Sequence, residues 1–261
     1  MVLKPHAVNG LHYYTFEVLD RYGVCHAIFT RRGGVSPAPW ASLNLGGSVG
    51  DEVERVRENR KRAFEALGLS VHRTYDVWQV HSAEVVCVDQ PKEPNQPLQQ
   101  ADAILTDKKG ITLLMRFADC VPILLFDKRK GVIGIAHAGW QGTILGIAAK
   151  AVQKMSETYG SNPKDIWAGI GPSIGGHHYP VGVEVWEQAL AQIPHVAPQC
   201  FETIQGEYRF DLWLANQLLL EQAGVGEIEI AGLCTACNLQ DWYSHRAEKG
   251  KTGRFGVVIR L

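Results

Sequence analysis

The sequence predicts an α+β fold: a single layered domain over residues 1–261, with mixed β-sheets covered by helices. Two observations carry this expectation. Strand-like apolar runs arrive in series, at 77–80, 85–88, 111–116, 121–126 and 132–136, whereas a doubly wound sheet alternates them with helices. No repeat, low-complexity tract or Pro/Gly/Ser linker divides the 261 residues, a length above one ordinary domain of ~100–200 but short of requiring two. The best boundary, PKEPNQPLQQ at 91–100, reads as a surface excursion between strands.

Three helices are readable in order. Asp51, after the glycine-rich LGGSVG, is expected to cap a helix over 52–67. A second helix over 143–159 gathers Ile144, Ile147, Ala148, Ala151, Val152 and Met155 on one face, and Gly160 suits its end. A third covers 211–223 and stops before Gly224.

Composition excludes several classes. Apolar residues make up 46% and charged residues 20%, ordinary globular usage rather than disorder. With 26 Lys+Arg against 27 Asp+Glu, the net charge is −1. No global field draws the protein to nucleic acid or an acidic membrane, so an anionic substrate needs a local cationic cluster. Six cysteines are too few for a disulfide scaffold of this length. MVLKPHAVNG lacks the apolar core of a secretory signal. The most membrane-like stretch, 133–152, holds His137, Gln141, Lys150 and four glycines, and reads as strand, turn and helix rather than a span of ~20 apolar residues. A cytoplasmic protein with reduced thiols is expected. The sequence is silent on oligomeric state.

The chemistry gathers around one hairpin. The strands at 121–126 and 132–136 enclose DKRK. Pairing Phe126 with Gly131 sets Cys120 opposite His137, and directly opposed residues have Cβ atoms ~4.5–5.5 Å apart. A thiolate and an imidazole at that separation can share a zinc ion, whose bonds are ~2.0–2.3 Å. His81 closes the strand Trp78-Gln79-Val80-His81 and is a third donor. Two histidines and a cysteine leave a fourth position open, as in catalytic zinc sites. A cysteine in an apolar strand is more often a small buried hydrophobe, and a histidine at a strand end more often only hydrogen-bonded. Spacing alone therefore leaves a metal site and a metal-free pair both open.

A series of short motifs decides more. GGVS (33–36), LNLG (43–46), QVH (79–81), ADAI (101–104), ADC (118–120), HAGW (137–140), GIGPSIG (169–175), GVEV (182–185), CT (234–235) and TGR (252–254) follow one another along most of the chain. In this the sequence resembles the YfiH-like family, also labelled polyphenol oxidase or laccase-domain proteins and zinc purine nucleoside phosphorylases. The resemblance implies a mixed-sheet α+β fold and a Zn²⁺ cofactor held by His81, Cys120 and His137. It implies purine nucleosides and phosphate as substrates: phosphorolysis of adenosine, inosine or methylthioadenosine, and deamination of adenosine. Asp119 or Glu84 would move protons. Arg60 and Arg246 would contact an anion. Independently of the resemblance, Asn44 stands in a glycine-rich loop whose backbone N–H groups could meet a substrate, though such loops are more often simply tight turns. The sequence departs from the family pattern at Gln141, where Arg commonly follows HAGW, and at His245 and Ala247, where Tyr and Arg are usual.

Competing readings remain. Cys120 as nucleophile with His137 as base would make an amide hydrolase, and the resemblance also allows peptidoglycan-precursor editing. A binding protein with a structural zinc is disfavoured, because structural sites usually have four protein ligands. A copper oxidase is disfavoured too: none of the ten histidines forms H-x-H, and the only methionines are Met1, Met115 and Met155. Cys234-Thr235-Ala236-Cys237 lacks a second C-x-x-C, Leu233 breaks the deaminase context, and H-x-E is missing. Buried thiols or occasional redox chemistry are expected there. His177 and His178, adjacent on an extended strand, would point to opposite faces, so joint ligation is not expected.

Overall fold

Nearly every residue of the central strands is apolar and buried, so each strand must be covered on both faces. The computed structural model, which describes residues 2–93 and 96–261, shows how. The middle of the 91–100 excursion lies outside the described residues.

In chain order the elements begin with β1 (Leu3–Val8), β2 (Leu11–Phe16), α1 (Glu17–Arg21), β3 (Cys25–Phe29) and α2 (Val53–Glu65). Then come β4 (Thr74–Asp76), β5 (Val85–Cys87), β6 (Ala103–Thr106), β7 (Thr112–Phe117), β8 (Val121–Asp127) and β9 (Val132–Ala138). Next are α3 (Trp140–Ile144), α4 (Ile147–Tyr159), β10 (Ile166–Ile170), β11 (Pro180–Val181), α5 (Val183–Gln192) and α6 (Ala197–Cys200). The chain closes with β12 (Phe201–Ile204), β13 (Glu207–Phe210), α7 (Leu212–Gln222), β14 (Glu227–Ile230) and β15 (Phe255–Arg260).

Two six-stranded mixed sheets form, ordered β1-β2-β3-β15-β7-β4 and β14-β10-β8-β9-β6-β5, with a small sheet β11-β13-β12. Strand alternation divides the core into layers. Leu124 and Phe126 of β8 join Met115 and Phe117 of β7 between the two large sheets. Val121, Ile123 and Leu125 turn the other way, onto Ile147, Ala151 and Met155 of α4 and Leu219 of α7. On the far side, Leu114 and Val258 meet Phe64 of α2. The result is helix, sheet, sheet, helix. Among the described residues, no helix is long and apolar enough to cross a membrane.

Several local expectations are corrected. Asp51 does not cap the first helix, which starts at Val53 with no side-chain cap. Its carboxylate turns inward to accept from Ser36 Oγ and Asn44 Nδ2. The helix expected over 143–159 is two pieces, because Gly146 takes a left-handed φ of 74° between α3 and α4. Asp211 does cap α7, accepting from the N–H groups of Trp213 and Leu214. Residues 77–80 are not a strand: the strand is 74–76, and Trp78 makes only an isolated bridge to Gln100.

The hairpin register also differs by two residues. Asp127 pairs with Val132, and Pro122 rather than Cys120 faces His137. Asp127 Oδ1 accepts the N–H groups of Arg129 and Lys130, and Gly131 takes a left-handed φ of 64°. That conformation belongs in a turn, not a ladder, so Gly131 is drawn into the loop. A slip of two keeps every side chain on its face, and Cys120 becomes a diagonal neighbour of His137. Finally, 176–178 is a turn of 3₁₀ helix rather than a strand. Its three residues per turn put the His177 and His178 rings 4.6 Å apart.

Candidate active site

His81, Cys120 and His137 converge, with one ligand atom from each lying within 4.8 Å of the others. Cys120 Sγ is 3.8 Å from His81 Nε2, and the two imidazole centroids are 5.0 Å apart. Each arrives differently. His137 is the penultimate residue of β9. Cys120 stands just before β8, after Asp119, whose φ is 82°. His81 sits in a loop at a φ of 60°.

That loop is held by Asp102, which is fully buried. Its carboxylate accepts the N–H groups of Val80, His81 and Ser82 and the Ser82 hydroxyl. The same carboxylate lies 2.8 Å from His137 Nδ1. A hydrogen bond there orients the His137 ring, with Nδ1–H toward Asp102 and Nε2 toward the cleft. Burial works to raise the Asp102 carboxyl, but the hydrogen bond and charge of His137 and the Ser82 donors outweigh it and hold it low. Burial likewise opposes charge on Cys120 and His137. Their mutual attraction wins: the imidazolium and the His81 contact lower the thiol, while the thiolate and Asp102 raise the imidazole. The sulfur is thus poised as a thiolate, the form that ligates metal or attacks carbon.

The residues fit a metal ion on structural grounds. A Cβ built at Gly139 would sit 2.9 Å from both Cys120 Sγ and His81 Cδ2, so the glycine keeps open the space where the donors meet. One thiolate and two imidazoles suit zinc better than magnesium or calcium.

The cluster lies in a cleft of about 790 Å³, within the ~300–1,000 Å³ range of small-molecule sites. Trp78, half exposed, and Trp140 give it aromatic walls. Arg60, Arg116, Arg246 and Arg254 bring positive charge. Arg116 Nη1 is 2.7 Å and Arg60 Nη1 3.8 Å from the same Asp76 oxygen, so two guanidiniums share one carboxylate. Burial, then Arg116 nearby, pull Arg60 down to about 10, against the attraction of Asp76.

The sequence-selected residues are distributed unevenly. Arg60, Asp119 and Arg246 line the cleft with the three donors. Asp119 accepts from Thr235 Oγ1 at 2.7 Å and from the Arg246 N–H at 2.6 Å. Asn44 is fully buried behind the wall, where its side chain holds Gly46 and the backbone of Arg254. The Glu84 side chain is exposed, and the cleft lining does not include it. Gln141 and His245, the departures from the family pattern, both face the cleft. Sequence reading passed over Asp102, Arg116, Arg254 and Tyr179 as site residues. An arginine ending the apolar run 111–116 was a usable signal for Arg116. Asp102 stood out only as part of the ADAI motif, since its partners lie 20 to 35 positions away.

The layered sheets and a cleft floored by nitrogen and sulfur donors define a metal-capable small-molecule site. Residues 25–261 match the family described as multi-copper polyphenol oxidoreductase laccase, and the chain belongs to that family. It is 40% identical over 238 residues to a purine nucleoside phosphorylase of Deinococcus radiodurans, covering 91% of this chain and 89% of that one. It is 36% identical to the purine nucleoside phosphorylase YlmD of Bacillus subtilis, covering 89% and 86%. Among solved structures, YlmD from Geobacillus stearothermophilus superposes with a TM-score of 0.91 at 34% identity, covering 99% and 98%. The hypothetical protein YfiH of Bacillus licheniformis gives 0.90 at 36%, covering 97% of both chains.

Proposed function

We propose that this protein is a zinc-dependent purine nucleoside enzyme that cleaves adenosine, inosine or methylthioadenosine with phosphate and also deaminates adenosine. The observation that carries this reading is the convergence of His81, Cys120 and His137 on the floor of a cleft walled by tryptophans and guanidiniums. The relatives named as purine nucleoside phosphorylases support the substrate class.

His81 Nε2, Cys120 Sγ and His137 Nε2 would hold the ion. Bound there, zinc supplies Lewis-acid polarisation. The remaining work belongs to the chain. Trp78 and Trp140 offer faces on which a purine stacks. Arg60 and Arg116, only partly neutralised by Asp76, would orient phosphate; its oxygen bonds to the anomeric carbon as the carbon–nitrogen bond breaks and the purine leaves with the electron pair and takes up a proton. In deamination, water adds at purine C6 and ammonia departs. Asp119 would be the carboxylate that moves protons, since each of its oxygens accepts one bond and keeps lone-pair capacity.

A second reading has a specific observation behind it: Cys120, His137 and Asp102 also resemble a cysteine–histidine–aspartate arrangement of amide hydrolases. A second imidazole 3.8 Å from the sulfur is superfluous to that chemistry and useful to a metal, so zinc is preferred. Copper oxidation gains no support from the donors. Among the described residues the groups of three or more potential ligands number two, and the histidines of neither are in H-x-H pairs.

The test is a nucleoside panel with and without phosphate, on chelated and zinc-restored protein. Phosphate-dependent release of free base, lost on chelation and regained with zinc, is expected. Full turnover after rigorous zinc removal, with a trappable covalent adduct on Cys120, would replace this reading with the cysteine enzyme.

A further inference from the structure

We propose that His177, His178, Cys234 and Cys237 form a second metal site, a closed four-ligand cage for a zinc-class divalent ion. It lies outside the three-ligand cluster and does not depend on the reaction proposed above.

The backbone brings the four together. Ser173 and Cys234 form a parallel bridge, with Ser173 N–H donating to Leu233 and Thr235 N–H to Ser173. This aligns the 3₁₀ turn of 176–178 with the turn of 234–237, which closes through Cys237 N–H and the Cys234 carbonyl. One ligand atom from each of the four residues lies within 4.8 Å of the others. His177 Nε2 is 3.2 Å from Cys237 Sγ, and His178 Nδ1 is 3.6 Å from Cys234 Sγ and 3.5 Å from Cys237 Sγ. A tetrahedral zinc with bonds of ~2.0–2.3 Å has ligand–ligand edges of about 3.3–3.8 Å. Three of the six edges, at 3.2, 3.5 and 3.6 Å, fall in or next to that range, and all lie within 4.8 Å.

The surroundings are built for it as well. Gly175 N–H donates to Cys234 Sγ at 3.2 Å, the kind of outer hydrogen bond that steadies a metal thiolate. A Cβ at Gly175 would lie 2.5 Å from His177 Cε1, so only glycine lets that ring fold in. Two thiolates and two imidazoles with no carboxylate favour zinc over calcium or magnesium. Four protein ligands leave no open position, which makes the site structural.

Its place gives it a purpose. Tyr179 follows His178, and its ring packs under the Arg246 guanidinium at 4.8 Å. Thr235 follows Cys234 and donates to Asp119. An ion here would pin together two turns whose next residues brace the wall of the cleft.

Metal content of the full-length protein, chelated and then equilibrated with Zn²⁺, tests the proposal. Two equivalents per chain are expected for the native protein, one for Cys237→Ser and one for Cys120→Ser. Co²⁺ substitution of Cys120→Ser should still give the charge-transfer absorption of a two-thiolate tetrahedral site, and His177→Asn, an exposed change, should weaken it. One equivalent in the native protein that survives Cys237→Ser overturns the second site. So does a Cys234–Cys237 disulfide in metal-replete protein prepared without oxidant. One equivalent lost in Cys237→Ser but kept in Cys120→Ser supports the second site while removing zinc from the reaction centre.

Discussion

Asp102 Oδ1 lies 2.8 Å from His137 Nδ1, while the same carboxylate holds the backbone that carries His81. One buried side chain therefore aims one histidine and positions another. Asp102→Asn keeps the size but removes the charge and turns N–H groups toward N–H donors. Metal affinity at the three-donor cluster should fall about 10–100-fold, the usual cost of losing an outer partner. Competition with a calibrated chelator measures it; unchanged affinity would show that Asp102 serves the fold alone.

Gly139→Ala probes the space between the donors. Gly139 has a φ of −69°, so alanine meets no backbone strain there, yet its Cβ would crowd Cys120 Sγ and His81 Cδ2 at 2.9 Å. Overpacking costs ~1–3 kcal/mol, here paid at the cluster. Metal binding should weaken roughly tenfold, at about 1.4 kcal/mol per decade, with the circular dichroism spectrum unchanged. Undiminished binding would mean that the donors do not meet at that point.

Cys120 separates the two chemistries. Cys120→Ala should abolish phosphorolysis and deamination, since two imidazoles bind zinc poorly without the thiolate. Cys120→Asp should retain some zinc and residual activity, because carboxylate is an acceptable ligand. A cysteine nucleophile predicts the opposite: a covalent intermediate in the native protein, seen by mass spectrometry, and no activity in the aspartate variant.

His26 should set part of the acid sensitivity. It is buried; its Nε2 accepts the Phe16 N–H at 2.7 Å, and Nδ1 donates to the Val24 carbonyl. A proton on Nε2 would face an N–H donor. Burial depresses the folded-state pKa below 6.5, with the Val24 hydrogen bond and Asp20 only partly opposing. The unfolded chain therefore takes up the proton first. Stability contributed by neutral His26 is full above pH ~6.5 and falls as pH drops below it, by up to about 1.4 kcal/mol per unit. His26→Gln, able to donate and accept, should flatten the acid limb of a denaturation-midpoint profile. Parallel profiles for the two proteins would exclude His26 as the source.

Much of this was legible because it is local. Apolar runs mark strands wherever the chain is buried on both faces. The Asp211 cap of α7 reads from sequence because its side chain bonds to residues two and three positions on. At Asp51 more distant partners had outbid the helix start. Asp51 left the helix start for Ser36 and Asn44. Gly146 broke a helix whose apolar periodicity ran straight through it.

The sequence by itself determined the layered α+β class and the family, and it singled out His81, Cys120 and His137, because motif order and residue chemistry survive without coordinates. Only the tertiary structure decided how those donors meet. Gly131's left-handed turn moved the hairpin register by two, and His81 came from a loop rather than a strand. Asp102, Arg116 and Arg254 joined the site across separations that no local period encodes. It also decided that His177 and His178 lie beside the same pair of thiols, which an extended reading had not expected. The physical reason is common to all four. Backbone conformation sets side-chain direction, and in loops and turns that conformation follows particular hydrogen bonds and glycine geometry rather than any hydrophobic period.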